Sequence, residues 1–283
     1  MREHSHEHTI ARMAKVLKVS ESGYYKWLKK KEAPLTEKEQ EDIQLTEEIF
    51  EIYRSSRGSF GYRKVTAILN KRREKPVNHK RVERIMQECA LFSKASRKYI
   101  CTTDSNHDEE IADNIIDRDF WASAPGEKML SDTTVIDTAQ GKLYVAGILD
   151  LYGDMPVGMA MSLNNDRFLV MEAFNDMISR GCGKSGCIIH SDRGSTYCSK
   201  DYRNLIDKHK LICSMSRKGD CWDNAPMESF WGKMKSEWLS HRYQTIDEAK
   251  RDVYEYVWHF YPRERPHETF NYMTPAEYYQ QGQ

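Results

Sequence analysis

Three carboxylates carry the chemistry that the sequence suggests. Asp132 lies in Leu130-Ser-Asp-Thr-Thr134, Asp192 in His190-Ser-Asp-Arg-Gly194 and Glu228 in Asp223-Asn-Ala-Pro-Met-Glu228, with 59 and 35 residues between them. Carboxylates brought together repel one another, and divalent cations relieve that repulsion. Hard oxygen ligands suit Mg2+, with Mn2+ as a substitute, and two such ions clamp the attacking and leaving oxygens of a phosphodiester displacement. In a chain with 43 acidic residues, spacing alone is easily matched by chance. The surroundings of Asp192 add weight, because it follows the β-branched run Ile188-Ile189 and precedes Arg193-Gly194, a loop able to approach phosphate.

The elements needed to position these acids are legible after Pro125. Alternating apolar residues predict strands over 128–138, 142–150 and 155–162, joined by the turn Ala139-Gln-Gly141. A helix over 166–179, a short apolar strand over 187–190, a helix over 200–209, a strand over 211–215 and a helix over 224–239 follow. A three-strand meander followed by alternating helices and strands implies an α/β fold, a mixed five-stranded sheet with helices on its faces. On it Asp132 sits in the first strand, Asp192 just past the fourth, and Glu228 early on the last helix. All three can meet at one sheet edge.

The first hundred residues read differently. Ile10, Met13, Ala14 and Leu17, then Ser20 through Trp27-Leu28, outline two short helices around a tight turn; a helix-turn-helix and a plain helical hairpin both fit. Thr36-Glu-Lys-Glu39 is a capping box opening a helix to about Tyr53. A second helix-turn-helix-like unit follows Gly58-Ser-Phe-Gly61, with Val65, Ile68 and Leu69 on one helix and Val82, Ile85 and Met86 inward on the next, which Asn78 caps. Residues 54–98 hold 14 basic and 3 acidic side chains, more than solubility needs. Phosphate contact is the preferred reading, with Arg63, Lys64, Lys71, Arg72, Arg73, Lys80, Arg81 and Arg84 as contact residues.

The formal charge of zero, 43 basic against 43 acidic groups, therefore hides two unlike halves, net +9 for residues 1–100 and net −9 for the rest. Residues 101–119 carry seven acids and one Arg without sustained periodicity and read as a linker. No run of 18 apolar residues and no apolar N-terminal stretch occurs, so a soluble, cytoplasmic, nucleoid-associated protein is expected, with no membrane partner. Seven cysteines without a C-x-x-C pair support neither a disulfide framework nor a zinc ribbon.

His190-Ser-Asp-Arg-Gly-Ser-Thr-Tyr197, Ser214 through Trp231 with its Cys-Trp-Asp-Asn-Ala-Pro-Met-Glu-Ser-Phe-Trp run, Lys235-Ser-Glu237, Tyr261-Pro-Arg-Glu-Arg-Pro-His267 and Thr274-Pro275 resemble the second-frame product (OrfB) of bacterial insertion sequences of the IS-three family. The N-terminal Val19–Trp27 and Tyr62–Met86 stretches are similar to that family's helix-turn-helix-like region, so the likeness spans nearly the whole chain. It implies a DDE transposase with an RNase H-like integrase core, Asp132, Asp192 and Glu228 being catalytic acids and ligands to two Mg2+. Met129 stands where the family commonly has Trp, a departure in packing.

The same likeness implies strand cleavage at element ends, 3′-OH strand transfer and copy-out, paste-in transposition. Double-stranded DNA at element ends and target is the expected partner, held by a homo-oligomer. With no heptad run before His8, a first-frame (OrfA) partner or fusion is expected too. Arg193, Asn224, Lys233, Lys235, Arg265 and His267 join the expected DNA contacts; Asn224 reads equally as a helix N-cap, and His190 as a buried hydrogen-bonded residue. The aromatic run from Tyr254 to Tyr261 reads as packing. The expected divisions are a helix-turn-helix-like segment (1–33), a basic helical DNA-binding region (34–100), an acidic linker (101–124), the catalytic core (125–240) and a C-terminal helical, aromatic extension (241–283). Two further readings compete with transposition: an RNase H-like nuclease with no joining step, and a DNA-binding regulator with an inert catalytic-like domain.

Overall fold

The computed structural model describes residues 1–94, 111–217, 221–239 and 242–282. Of the expected linker, residues 101–110 lie outside these. Packing groups the chain into two compact units, Met1–Glu48 and Ile49–Gln283. In the first, α1 (Ile10–Leu17) is capped by the Thr9 hydroxyl and α2 (Glu21–Glu32) by Ser20, whose Oγ accepts the Gly23 N–H at 3.0 Å. Lys18, in the left-handed region at φ 53°, turns the chain between them. The Thr36/Glu39 capping box is present, each side chain accepting the other's backbone N–H, and opens α3 (Glu37–Ser55). Leu45, Ile49 and Ile52 form the buried side of α3, while Ile43 faces solvent.

In the second unit, α4 (Tyr62–Arg72) and α5 (His79–Glu88) form the later helix pair. Val65, Leu69, Val82, Ile85 and Met86 are buried, and Asn78 caps α5 by accepting the Lys80 N–H. The sheet follows: β1 (Lys128–Thr138), β2 (Gly141–Asp150) and β3 (Met155–Ser162) form the meander, and β4 (Ile188–Ser191) and β5 (Ile212–Met215) add in parallel on the far side of β1. The order β3-β2-β1-β4-β5 is the mixed five-stranded sheet expected of an RNase H-like core.

Helices cover both faces because both faces of β1 to β3 are largely apolar. On one, α6 (Arg167–Ser179), α7 (Ser195–Cys198) and α8 (Lys200–Lys208) enclose Met129, Ile148, Phe174, Ile189, Tyr202 and Met215. On the other lie α9 (Ala225–Lys233), continued as a π-helical turn through Trp238, and α10 (Ile246–Glu255), continued likewise through Glu264. The aromatic run supplies this layer's packing: Phe230 meets Tyr261 edge-on at 4.7 Å, and Trp238 lies 4.3 Å from Phe260. The short α11 (Pro275–Gln280) closes the chain and anchors it through Tyr279, whose hydroxyl donates to the buried Asp150 carboxylate at 2.7 Å. Among the described residues, no helix is long and apolar enough to cross a membrane.

Two details lock the sheet. At Gly158 on β3 the backbone of α6 comes so close that a Cβ would stand 2.6 Å from the Ala173 carbonyl oxygen and 2.8 Å from Met177 Cβ. At the β4–β5 pair, His190 is wholly buried between two serines. Ser216 donates its hydroxyl to the Ser191 carbonyl and so accepts from His190 Nε2–H (3.1 Å); Ser214, which accepts the Ile115 N–H, has its own hydroxyl hydrogen available for Nδ1 (2.8 Å). This chain accommodates the neutral imidazole, and burial pushes the His190 pKa down to about 4, against the opposing pull of Asp223.

Gly158→Ala is expected to cost about 1–3 kcal/mol, because the helix backbone cannot yield as a flexible side chain would; a urea midpoint equal to wild type would contradict it. For His190 the sign follows from proton uptake: the unfolded chain binds a proton below about pH 6.5 that the folded chain refuses until about pH 4. Its stabilisation is therefore complete above pH 6.5 and shrinks as pH falls through that window. Denaturant midpoints measured from pH 7 to 4 should fall less steeply for His190→Gln than for wild type.

Candidate active site

Backbone register brings the first two acids side by side. β1 and β4 pair in parallel with Ser131 opposite Ser191, so Asp132 and Asp192 are each one residue beyond a matched pair on strands about 4.8 Å apart. β4 ends at Ser191, and Asp192 therefore opens the loop at the carboxyl edge of a parallel pair, where α/β sheets place ligands. The loop is held in shape by Asp192 itself, whose Oδ1 accepts the Gly194 N–H at 2.9 Å. Below, Ser131 donates to the buried Tyr197 hydroxyl at 3.1 Å and fastens β1 to α7.

The third acid arrives on α9. A 3-10 turn, Cys221–Asn224, leads into the helix, and Pro226 lies in its first turn together with Glu228. Asp223 fixes this entry: fully enclosed, it accepts from Arg217 Nε (3.0 Å), Nη2 (2.8 Å) and backbone N–H (2.8 Å), from Arg118 Nε (2.9 Å) and from Asn114 Nδ2 (2.9 Å). Those donors, Arg217 foremost, hold its pKa far below the ordinary carboxylate value. Sequence reasoning passed over Asp223; the signal was an acid placed directly before a helix entry, followed by Asn224.

Electrostatics ties the three together. Burial drives the Asp132 pKa well above its ordinary value, and the charges of Asp192 and Glu228 push it further, against a hydrogen bond from the Thr133 N–H and the nearby Trp231 indole. Burial raises Glu228 as well. The carboxylates thus share a space in which they cannot all be charged without a counter-charge. They do not close round a single point: among the described residues, no group of three or more His, Cys, Asp or Glu side chains stands ready at metal-holding distance. In donor chemistry the set fits hard divalent cations, since it offers only carboxylate oxygens and gains most from positive charge.

The expected DNA contacts separate into distinct groups. Lys235 lies beyond Glu228 on the π-helical turn, its pKa pushed down to about 8 by burial while Asp132 and Asp137 pull it up. Arg193 donates through Nε to the Ser216 carbonyl. Asn224 occupies the N-cap position of α9 without capping through its side chain, and its buried Oδ1 has no partner. Four basic residues of α4 face acids: Arg63 pairs with Glu268 (3.8 Å), Lys64 with Glu237 (3.7 Å), Lys71 with Glu277 and Arg72 with Glu51 (3.2 Å). Lys80 and Arg84 are exposed on α5, Arg84 beside Glu88 (3.0 Å), while Arg73 and Arg81 are half-buried.

Arg265 and His267 depart from the expectation that they line a DNA path. Arg265 is 5% exposed, with its fork on both Glu237 oxygens at 2.6 Å. His267 is 4% exposed, with its ring edge-on to Tyr261 and stacked on Phe270. Their charge and polarity serve the interior, where Lys64, Lys233 and Arg265 surround Glu237; a duplex reaches neither residue without opening the fold. Burial and the Arg265 charge accordingly lower the Lys233 pKa. Sequence reasoning also missed Arg57, which stacks 3.9 Å over the Trp238 ring and forks onto Asp252 at 2.8 and 2.9 Å, bolting the turn before α4 to the α9–α10 layer.

Comparison with known proteins places this arrangement in a family. Residues 39–99 match the HTH-like domain, and residues 122–221 and 209–275 match two models of the integrase core domain. The 31 kDa protein of insertion element IS600 from Shigella sonnei is 38% identical over 267 residues, which cover 94% of this chain and 97% of that protein. Transposase InsF for insertion sequence IS3A from Escherichia coli K12 is 30% identical over 276 residues, 97% of this chain and 95% of that one. Among solved structures, the HTLV-2 integrase catalytic core domain in complex with magnesium aligns with 56% of this chain and 99% of its own, at 12% identity and a TM-score of 0.45. With a curated relative at 30% identity over nearly the full length of both proteins, the chain belongs to the IS3 family of insertion-sequence transposases, an HTH-like domain followed by an integrase core.

Proposed function

We propose that this transposase cuts DNA at the ends of its insertion sequence and joins the freed 3′-OH to target DNA, with Asp132, Asp192 and Glu228 as its catalytic acids. The observation that carries the assignment is the register-placed pair Asp132 and Asp192 at the carboxyl end of β4, with the Glu228 charge also acting on Asp132. Asp132, Asp192 and Glu228 would hold the ions. Two Mg2+, with Mn2+ as substitute, would, when bound, activate the attacking water or 3′-OH and neutralise charge on the leaving oxygen. The protein's own part is positioning: Lys235 sets a positive charge near Asp132, where the scissile phosphate must come, and Arg193 and Asn224 border the same edge. The same carboxylates serve hydrolysis and joining, since both are in-line displacements at phosphorus.

DNA outside the cleavage point is held by the basic helices. On position alone, α5 with the exposed Lys80 and Arg84 and the half-buried Arg81 is the helix presented to the duplex, assisted by Arg73, while the α4 residues Arg63, Lys64 and Lys71 pair with acids of the same compact unit. Two element ends must be held together for joining, so the working form is a homo-oligomer on DNA, with a first-frame product as a further partner. Its place of action is the cytoplasm, at the nucleoid.

Asp192→Asn should abolish both cleavage and joining of element-end oligonucleotides in Mg2+ while end binding stays near wild type. Cleavage at the wild-type rate in that variant would end the metal-ligand assignment. Lys80→Ala with Arg84→Ala should weaken end binding and lower the dependence of log affinity on log salt by about 1 for each phosphate that no longer meets a cation. Lys71→Ala should leave that slope unchanged; the reverse pattern would move the DNA face from α5 to α4.

A further inference from the structure

Trp231 is 1% exposed, yet its indole Nε1 has no hydrogen-bond partner. Buried indole N–H groups are ordinarily paired, because leaving one unsatisfied forfeits its hydration without return. The surroundings show where this one points. In the β1–β2 ladder, Asp132 stands directly opposite Gly147, so the two positions share a face of the sheet. Trp231 occupies the space that a side chain at 147 would need: a Cβ there would lie 2.7 Å from the ring's Cη2 and 2.9 Å from Cζ2. Cζ2 and Nε1 are bonded to the same ring carbon, so the edge laid across Gly147 is the edge that carries the N–H, beside Asp132.

The helix adds a second constraint. Trp231 follows Glu228 by three residues on α9, which puts the indole on the side of the helix that turns the glutamate toward the sheet. The Asp132 carboxyl senses the indole as a stabilising donor, although no hydrogen bond of ordinary geometry is formed. Trp238 makes the useful contrast. Its Nε1 is also buried without a partner, but its ring lies under Arg57 and against Phe260.

We infer that Trp231 is a positioning residue for the reaction: its indole N–H donates to the Asp132 oxygen turned away from the cations and fixes that carboxylate in its ligating orientation. The inference rests on the assignment of Asp132, Asp192 and Glu228 as metal ligands. An outer hydrogen bond of this kind holds a flexible carboxylate in one rotamer, and its loss weakens metal binding by about tenfold or more. A purely structural Trp231 makes the opposite prediction: its loss lowers stability and leaves cation affinity alone.

The test is Mn2+ titration of the full-length protein, followed by calorimetry, for wild type, Trp231→Phe, Trp238→Phe and Asp192→Asn. Trp231→Phe should bind Mn2+ about tenfold more weakly, whereas Trp238→Phe, which loses the same ring volume elsewhere, should match wild type. Wild-type affinity in Trp231→Phe, beside clear loss in Asp192→Asn, overturns the role of Trp231 alone. Undiminished binding in Asp192→Asn overturns the metal-ligand assignment beneath it. A measurement on the unaltered chain guards against a variant that does not fold. With the six tryptophans labelled with 15N, an indole N–H resonance should move downfield during Mg2+ titration, and six unmoved resonances at Mg2+ saturation overturn the inference.

Discussion

Repulsion between Asp132 and Asp192 is imposed by the backbone and not by side-chain choice. Once Ser131 pairs with Ser191 in a parallel ladder, the next residue of β1 and the first residue after β4 come close, and the Asp132 carboxyl feels the Asp192 charge. Burial amplifies the effect, since a low-dielectric surrounding strengthens Coulomb repulsion and weakens hydration together. The fold accepts this cost at one edge and spreads the means of bearing it over several elements. Gly194 closes the Asp192 loop, Tyr197 fastens β1 from below, and Asp223 holds the entry to the helix that delivers Glu228.

The same division of labour governs charge elsewhere in the larger unit. Cations that read as a DNA-binding surface are divided between two tasks. Arg57, Lys64 and Lys71 pair with acids of the C-terminal layer, within the compact unit that holds α4, α5 and the sheet. On α5, Lys80 and Arg84 are exposed, Arg84 beside Glu88. Arg265 illustrates the division most sharply: buried on Glu237 among aromatic rings, it would be a costly lone charge without that carboxylate.

How much of this was legible beforehand can be followed residue by residue. The strands were, because period-two alternation and the Ala139-Gln-Gly141 turn leave little choice of register for a meander. The Thr36/Glu39 box, the Asn78 cap and the inward set Val82, Ile85 and Met86 were legible for the same reason: they depend on neighbours within one turn of helix. The buried, hydrogen-bonded reading of His190 agrees with its place between Ser214 and Ser216. Arg63, Lys64 and Lys71 were legible as charge but not as partners, since their acids lie about two hundred residues away in sequence. Asp223, Arg57 and Gly147 carried no local pattern strong enough to single them out.

The sequence by itself determined the order and type of the elements and the asymmetry of charge, and it singled out the three acids proposed as catalytic. These follow from propensity, periodicity and residue chemistry, which act over a few residues. Only the tertiary structure decided which acids meet, which cations are spent on internal pairs and which indole lies in the gap left by Gly147. Those outcomes depend on strand register and on helices packed across the sheet, contacts between residues that the chain itself keeps far apart.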